Sequence, residues 1–252
     1  MKSFLWSLLA RLISASVRLI RRRPGELSPE AWRAVRFSYS HYAEDLIVMH
    51  LFREKLARGE AGLYVDVGCF DPFLFSNTLL LHQYGWRGVN IDPNPDCIRR
   101  FNVARPSDLS ICAAVAQNKQ LMRYLEYPTG GTNRIVNSGE TDLSNVAGEA
   151  PSRVTPITTV ALTDLLSENL AAGETIDFLN IDCEGVDLGV LRGLDWEQWM
   201  PRVVAVEAYD DDSRKAVRAF LGERGYTSVA QAVLTLIFVR TEIHCSDLRV
   251  FA

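Results

Sequence analysis

Five acidic residues stand at or just past the ends of short apolar runs. Asp66 lies in Tyr64-Val65-Asp66-Val67, and Asp92 closes Gly88-Val89-Asn90-Ile91-Asp92. Asp182 and Glu184 follow Phe178-Leu179-Asn180-Ile181, and Glu207 ends Val203-Val204-Ala205-Val206. A carboxylate so placed can grip ribose hydroxyls, take a proton from a substrate, or ligate a cation. Gly68 comes directly after the first run, where a chain leaving a sheet must turn with no Cβ in the way. Strand, glycine turn and helix start is the arrangement in which open α/β sheets bind ligands beyond their strand ends. Asp92 falls where a nucleoside-binding sheet places its ribose acid. The same pattern also occurs in proteins that bind nothing there, and Glu184 and Asp187 could equally cap the following helix.

Missing motifs narrow the choice of ligand. A dinucleotide fingerprint needs glycines where the chain has Phe70 and Phe73, and no G-K-[ST] of a phosphate loop occurs. The remaining common occupant is S-adenosylmethionine, a nucleoside without phosphate. No G-x-S-x-G and no H-E-x-x-H supports a serine hydrolase or a zinc peptidase. His41, His50, His82 and His244 form no catalytic pattern. Asp210-Asp211-Asp212 imitates a glycosyltransferase metal clasp, although an acidic first turn of a helix explains it more simply. Five scattered cysteines without a C-x-x-C read as free thiols in a reducing cytoplasm. A net charge of -4 and a pI near 5.6 speak against a nucleic-acid surface.

With 252 residues and 48% apolar content, the chain can build one α/β domain with an appendage. Residues 3–20 are apolar but broken by Arg11 and Arg18, so they fall short of the roughly 20 residues of a membrane span. They also lack a signal-peptide cleavage pattern. As a helix they would put Ser7, Arg11, Ser14 and Arg18 on one stripe and Leu5, Leu8, Leu9, Leu12, Leu19 and Ile20 opposite. With Trp6 and Arg21-Arg22-Arg23, residues 1–23 describe an amphipathic helix lying in a membrane surface, unless the stripe packs on protein. Residues 24–37 read as a connector, and 38–252 as the domain. A helix is expected over 46–57, then strands over 63–67, 88–92, 110–115, 176–182, 202–207 and 234–239. Helices over 77–84, 95–102, 161–170, 187–192 and 213–223 alternate with them. That alternation predicts a doubly wound, mainly parallel sheet. Residues 127–156, rich in Gly, Thr, Asn and Ser, are too long for an ordinary connection and read as a lid over the acceptor, a substrate loop or a disordered insert.

In this order and spacing the motifs resemble the FkbM-type S-adenosylmethionine-dependent methyltransferases, from about Ser38 to Val239. The likeness rests on Tyr39-Ser40 with Glu44-Asp45, Val65-Asp66-Val67-Gly68 with Asp71-Pro72, and Ser76-Asn77-Thr78. It continues through Gly85-Trp86-Arg87-Gly88, Ile91-Asp92-Pro93-Asn94-Pro95, Arg105-Pro106 with Asp108, Ile176-Asp177-Phe178-Leu179, and Ile181-Asp182 with Glu184-Gly185. His41 stands where the family commonly has Gln, and Phe70 where a small or polar residue is usual; both departures bear on the acceptor pocket.

The resemblance implies a class I, Rossmann-like methyltransferase fold with an antiparallel last strand, and methyl transfer to a hydroxyl, often of a sugar or glycan precursor. For the cofactor, Gly68 would admit the methionine moiety, Asp66 would bind near its ammonium, and Asp92 would accept both ribose hydroxyls. Ala113 and Ala114 would flank adenine, with Asp71 and Asn77 completing the set. Asp182 or Glu207, with Glu184 beside them, would supply the base. Asp182 and Glu207 could instead ligate a divalent cation such as Mg. The leading expectation is an O-methyltransferase of a glycan or glycolipid precursor, cytoplasmic and peripheral on the inner face of a membrane. A nucleotide-sugar glycosyltransferase and a non-catalytic, membrane-tethered binding module are the alternatives.

Overall fold

The computed structural model describes residues 34–241 apart from 129 and 146. The expected amphipathic helix over 1–23, most of the connector, His244 and Cys245 lie outside the described residues. The chain divides into two units, Met1–Phe37 and Ser38–Ala252.

After α1 (Glu44–Leu51) and α2 (Arg53–Ala57), the chain runs β1 (Leu63–Val67), α3 (Leu79–Gln83), β2 (Arg87–Asp92), α4 (Pro95–Ala104) and β3 (Leu109–Cys112). It continues through β4 (Ala114–Ala116), β5 (Leu121–Glu126), β6 (Arg134–Asn137), β7 (Arg153–Ala161), α5 (Leu162–Asn169), β8 (Phe178–Ile181) and α6 (Asp187–Arg192). β9 (Val203–Glu207), α7 (Asp211–Gly222), β10 (Tyr226–Ala232) and β11 (Thr235–Arg240) complete it. Seven strands form one sheet in the order β10-β11-β9-β8-β1-β2-β3. From β3 to β9 neighbouring strands are parallel, and β11 runs antiparallel to both β9 and β10. Strand order reverses at β1, with β2 on one side and β8 on the other. A crevice opens at such a switch point.

Side-chain alternation explains the layers. Leu63, Val65 and Val67 of β1 join one core with Leu162, Leu166, Leu179, Ile181 and Val206. Tyr64 faces the other way, into a core with Val48, Leu51, Phe52, Trp86, Phe178, Val203 and Ala205. Asp66 shares the Tyr64 face. It is opposite Asn180 in the β1–β8 register.

Several expectations need correction. The helix expected over 46–57 breaks at Phe52, whose φ of -94° and ψ of 8° leave the helical region. The strand expected over 110–115 parts at Ala113: β3 stays in the large sheet, while β4 pairs with β7. Residues 127–156 are not one loop, because they contain β6 and the start of β7. These join β4 and β5 in a second sheet ordered β4-β7-β5-β6, over a small core of Ala114, Ala116, Met122, Tyr124 and Ile135. β10 also carried no recognised signal, since Tyr226–Ala232 is only partly buried.

A buried polar network ties the loop after β1 to the sheet. Arg105, with no solvent exposure, donates to Pro72 O (2.5 Å), Ser76 Oγ (2.8 Å) and Thr78 Oγ1 (2.9 Å). Tyr64 OH donates to Asp108 (2.5 Å), which also accepts from Gly88 N–H and Asn90 Nδ2. Removing the guanidinium strands several buried acceptors at once. Arg105→Met should therefore lower stability by about 3 kcal/mol, read as a fall in Tm of roughly 6–12 °C by calorimetry.

Candidate active site

The site lies at the carboxyl ends of β2, β1, β8 and β9. The turn leaving β1 is tight. Gly68 has φ +81°, donates its N–H to Ile91 O at 2.9 Å, and a Cβ there would stand 1.8 Å from the Asp182 carbonyl oxygen. Asp182 N–H in turn donates to Val67 O at 3.0 Å.

Strand parity brings the acids together. Phe178 and Val203 face the α1 side, and steps of two carry Asp182 and Glu207 to that side as well. One oxygen each of Asp182, Glu184 and Glu207 lies within 4.8 Å of the others. At an effective dielectric near 20, each pair of like charges so close costs about 3 kcal/mol. Burial is the largest cause of the shifts that follow, and this repulsion adds to it. The Asp182 carboxyl is pushed up to about 7, Glu184 to about 8, and Glu207 still higher. A hydrogen bond between Asp182 and Glu207 lowers the first and raises the second. Glu207, whose pKa is raised furthest, is the carboxyl of the three most strongly held in its protonated form.

Glu184 sits on a strained turn, with φ +54° for a residue that has a Cβ, followed by Gly185 at φ +107°. Asp187 holds this turn by accepting from Cys183 N–H (2.8 Å) and Gly185 N–H (2.9 Å). Neither acid caps α6, whose N-cap Val186 has no side-chain cap hydrogen bond; Asp187 braces the turn before it instead. Glu184 Oε2 accepts a short hydrogen bond from Tyr209 OH. Sequence reading missed Tyr209, yet it lies two residues beyond Glu207, and continued alternation would have put it beside that acid. Glu184, Gly185 and Tyr209 form one wall of a cavity of about 340 Å³, completed by Arg134, Glu140, Asp142, Ser144 and Asn145. Arg134 was also missed, because β6 was read as loop. It donates to Asp142 O (3.1 Å) and Ser144 O (2.9 Å), and its charge opposes the rise at Glu184.

On the other side of the crevice, Asp92 closes β2 and accepts from Asn94 N–H (2.8 Å) and Phe70 N–H (3.2 Å), which leaves each oxygen a lone pair. Burial raises its carboxyl to about 6. Ala113 N–H donates to Asp92 O at 3.2 Å, so Ala113 and Ala114 stand at the adjoining β3–β4 break. Asp66 is 2% exposed and accepts from Thr78 Oγ1 (2.7 Å) and Asn180 Nδ2 (2.9 Å). Asn77 Nδ2 donates to Asn180 Oδ1 (3.0 Å), leaving Asn77 Oδ1 buried with no partner. Asp71 accepts from Phe73 N–H and Leu74 N–H and pairs with Arg100 at 3.5 Å. His41 stacks on Tyr42 and packs at a tilt against Phe75. The Asp210 cluster stands apart as a helix start: Asp210 and Ser213 form a capping box, and Asp211 and Asp212 pair with Arg214 and Lys215.

The crevice offers acceptors where a phosphate-bearing ligand would need donors, since Arg105 is spent within the fold. It thus fits a cationic nucleoside: Asp92 for a ribose, and the orphaned Asn77 Oδ1 for an ammonium. A mainly parallel sheet with a crevice at its switch point is the ligand-binding arrangement of open α/β proteins. The chain matches the methyltransferase FkbM domain over residues 66–228 and belongs to that family. It is a methyltransferase on that ground, and the family implies S-adenosylmethionine as donor. No curated protein matches the chain. Among solved structures, PH1948 of Pyrococcus horikoshii, assigned as an RNA methyltransferase, is 11% identical with a TM-score of 0.38, over 77% of this chain and 84% of that one. Monomeric WbdD is 14% identical with a TM-score of 0.43, over 85% of this chain and 44% of WbdD. A protein of Clostridium thermocellum assigned as an rRNA methylase is 11% identical with a TM-score of 0.41, over 82% and 97%.

Raised carboxyl pKa values make stability pH-dependent with a definite sign. The native state binds these protons more tightly than the unfolded chain, so the contribution of these groups to stability is full below about pH 4 and is lost as pH rises to about 8. Glu207→Gln keeps a hydrogen-bonding shape without the charge. It should raise stability at pH 8 by at least about 1 kcal/mol and flatten the pH dependence in denaturant titrations.

Proposed function

We propose that the protein is an S-adenosylmethionine-dependent O-methyltransferase of class I fold whose acceptor is a sugar hydroxyl of a glycan or glycolipid precursor. The observation that carries this reading is the cavity beside Glu184. Its walls are carboxylates, an amide, a hydroxyl, a guanidinium and one aromatic ring, a lining suited to a hydroxyl-rich ligand. Its size, about 340 Å³, falls within the range of small-ligand pockets, roughly 300–1,000 Å³.

The donor, when bound, supplies an already activated methyl carbon. The protein's work is then to align an oxygen and remove its proton. Asp92 would hold the ribose, and Asn77 Oδ1 with the Asp66 network would hold the ammonium. Glu184 is the base nearest the cavity, aimed by Tyr209 OH and by the turn that Asp187 fixes. A carboxyl raised to about 8 is well matched to taking a proton near neutral pH. Burial and the nearby Asp182 charge keep the basicity of Glu184 high. A cytoplasmic location, with residues 1–23 at an anionic membrane face, completes the proposal and suits a lipid-linked acceptor.

A second reading puts a divalent cation among Asp182, Glu184 and Glu207, favoured by their oxygens lying within 4.8 Å of one another. Exhaustive chelation separates the two: unchanged turnover supports the proton-sharing site, and turnover restored only by added Mg supports the cation.

S-adenosylhomocysteine should raise Tm, equivalent to about 2.7 kcal/mol at a hundredfold excess over Kd, whereas uridine diphosphate with manganese should not. Asp92→Ala should weaken that binding at least about tenfold by calorimetric titration. Glu184→Gln should lower kcat by about 10²–10⁴ with cofactor affinity retained. Wild-type kcat/KM should rise with pH toward a plateau above about 8. Cofactor binding without transfer to any glycan acceptor would favour a non-catalytic module.

A further inference from the structure

The loop between β1 and α3 carries three consecutive apolar side chains in the open: Phe73 is 58% exposed, Leu74 53% and Phe75 48%. A run of this kind is unusual on a soluble surface. The tip is also held firmly. Asp71 Oδ1 accepts from Phe73 N–H (2.9 Å) and Leu74 N–H (3.0 Å), and Arg105 grips Pro72 O and Ser76 Oγ on either side. Phe75 has φ +56°, a left-handed conformation that a residue with a Cβ adopts only when its surroundings impose it. The loop is therefore built to project these side chains rather than to fold them away.

Its place in the chain indicates what it meets. Ser76 N–H donates to Tyr39 O at 3.1 Å, and Asp45 accepts from Ser38 Oγ, Tyr39 N–H and Ser40 Oγ. The chain thus enters the domain at Ser38–Ser40, hydrogen-bonded to the base of this loop. The sequence joined there carries six basic and no acidic residues in its first 25, in a chain whose net charge is -4. A strongly basic N-terminal sequence in the same chain as a projecting apolar tip is complementary in charge and hydropathy to an anionic bilayer. A projecting tip also gives a partner helix no groove to lie in.

We infer that Phe73 and Leu74 insert into an anionic lipid surface and turn the rim of the crevice toward it. This deepens the membrane half of the proposed function and does not depend on the methyl-transfer half. The test is co-sedimentation of the full chain with phosphatidylcholine vesicles, with and without phosphatidylglycerol. Three proteins are compared: wild type, Phe73→Ser with Leu74→Ser, and Arg21→Gln with Arg22→Gln and Arg23→Gln. Wild type should bind the anionic vesicles, and the loop variant should bind at least about tenfold more weakly, as expected for losing two buried apolar side chains. Its Tm and its shift with S-adenosylhomocysteine should match wild type, which excludes misfolding as the cause.

Phe73→Trp gives a second readout: its added fluorescence should be quenched by brominated lipid. Equal binding by wild type and loop variant, or no quenching, overturns the inference even if the arginine variant loses binding. No wild-type binding to anionic vesicles overturns the loop and the basic segment together. Self-association that the loop variant abolishes, with vesicle binding unchanged, assigns the tip to a protein contact instead. Vesicle binding without any cofactor-induced Tm shift leaves the loop inference standing and sinks the methyl-transfer reading.

Discussion

The structure turns on how closely two strand tips approach. A Cβ at Gly68 would stand 1.8 Å from the Asp182 carbonyl oxygen, so only glycine lets the chain leave β1 beside the end of β8. This contact fixes Asp182 at the floor of the crevice, beside Glu207 at the end of β9. Their carboxyls are buried, close and alike in charge. Burial and mutual repulsion raise both pKa values, Glu207 the further, so the pair favours a shared proton. Glu184, across the same cluster, inherits a raised pKa and the only one of the three carboxyls that lines the cavity.

A second constraint keeps this arrangement rigid. Asp66, at the centre of the first motif, spends both oxygens on Thr78 and Asn180. Thr78 is shared with Arg105, and Arg105 holds the loop that bears Asp71 and the apolar tip. The family's motif residues thus do two jobs. Asp92 and the unpartnered Asn77 Oδ1 are the acceptors proposed for the donor, while Asp66, Ser76, Thr78, Arg105 and Asp108 form the buried scaffold around them.

Much of this was legible in the sequence, and the reason is alternation. β1, β2, β8, β9 and β11 are buried on both faces, so continuous apolar runs with a polar end announced them to within a residue or two. The acids at their tips followed from position alone. The second sheet did not, because β6 is a four-residue edge strand with Arg134 and Asn137 at its ends, paired only with β5. With β6 went Arg134 and most of the cavity wall. Glu184 and Asp187 were also indistinguishable in sequence. Only the turn geometry, with one aspartate collecting two backbone N–H groups and the glutamate meeting Tyr209, separates the brace of the turn from the candidate base.

The central claim is spatial: a cationic nucleoside lies along the strand ends with its reactive end toward the carboxyl cluster. A crystal structure of the protein with S-adenosylhomocysteine tests it most directly. The account predicts ribose hydroxyls on Asp92, the amino group near Asn77 Oδ1, and the sulfur facing the cavity that Glu184 and Tyr209 wall. Ribose bound away from Asp92, or sulfur turned from that cavity, would contradict it.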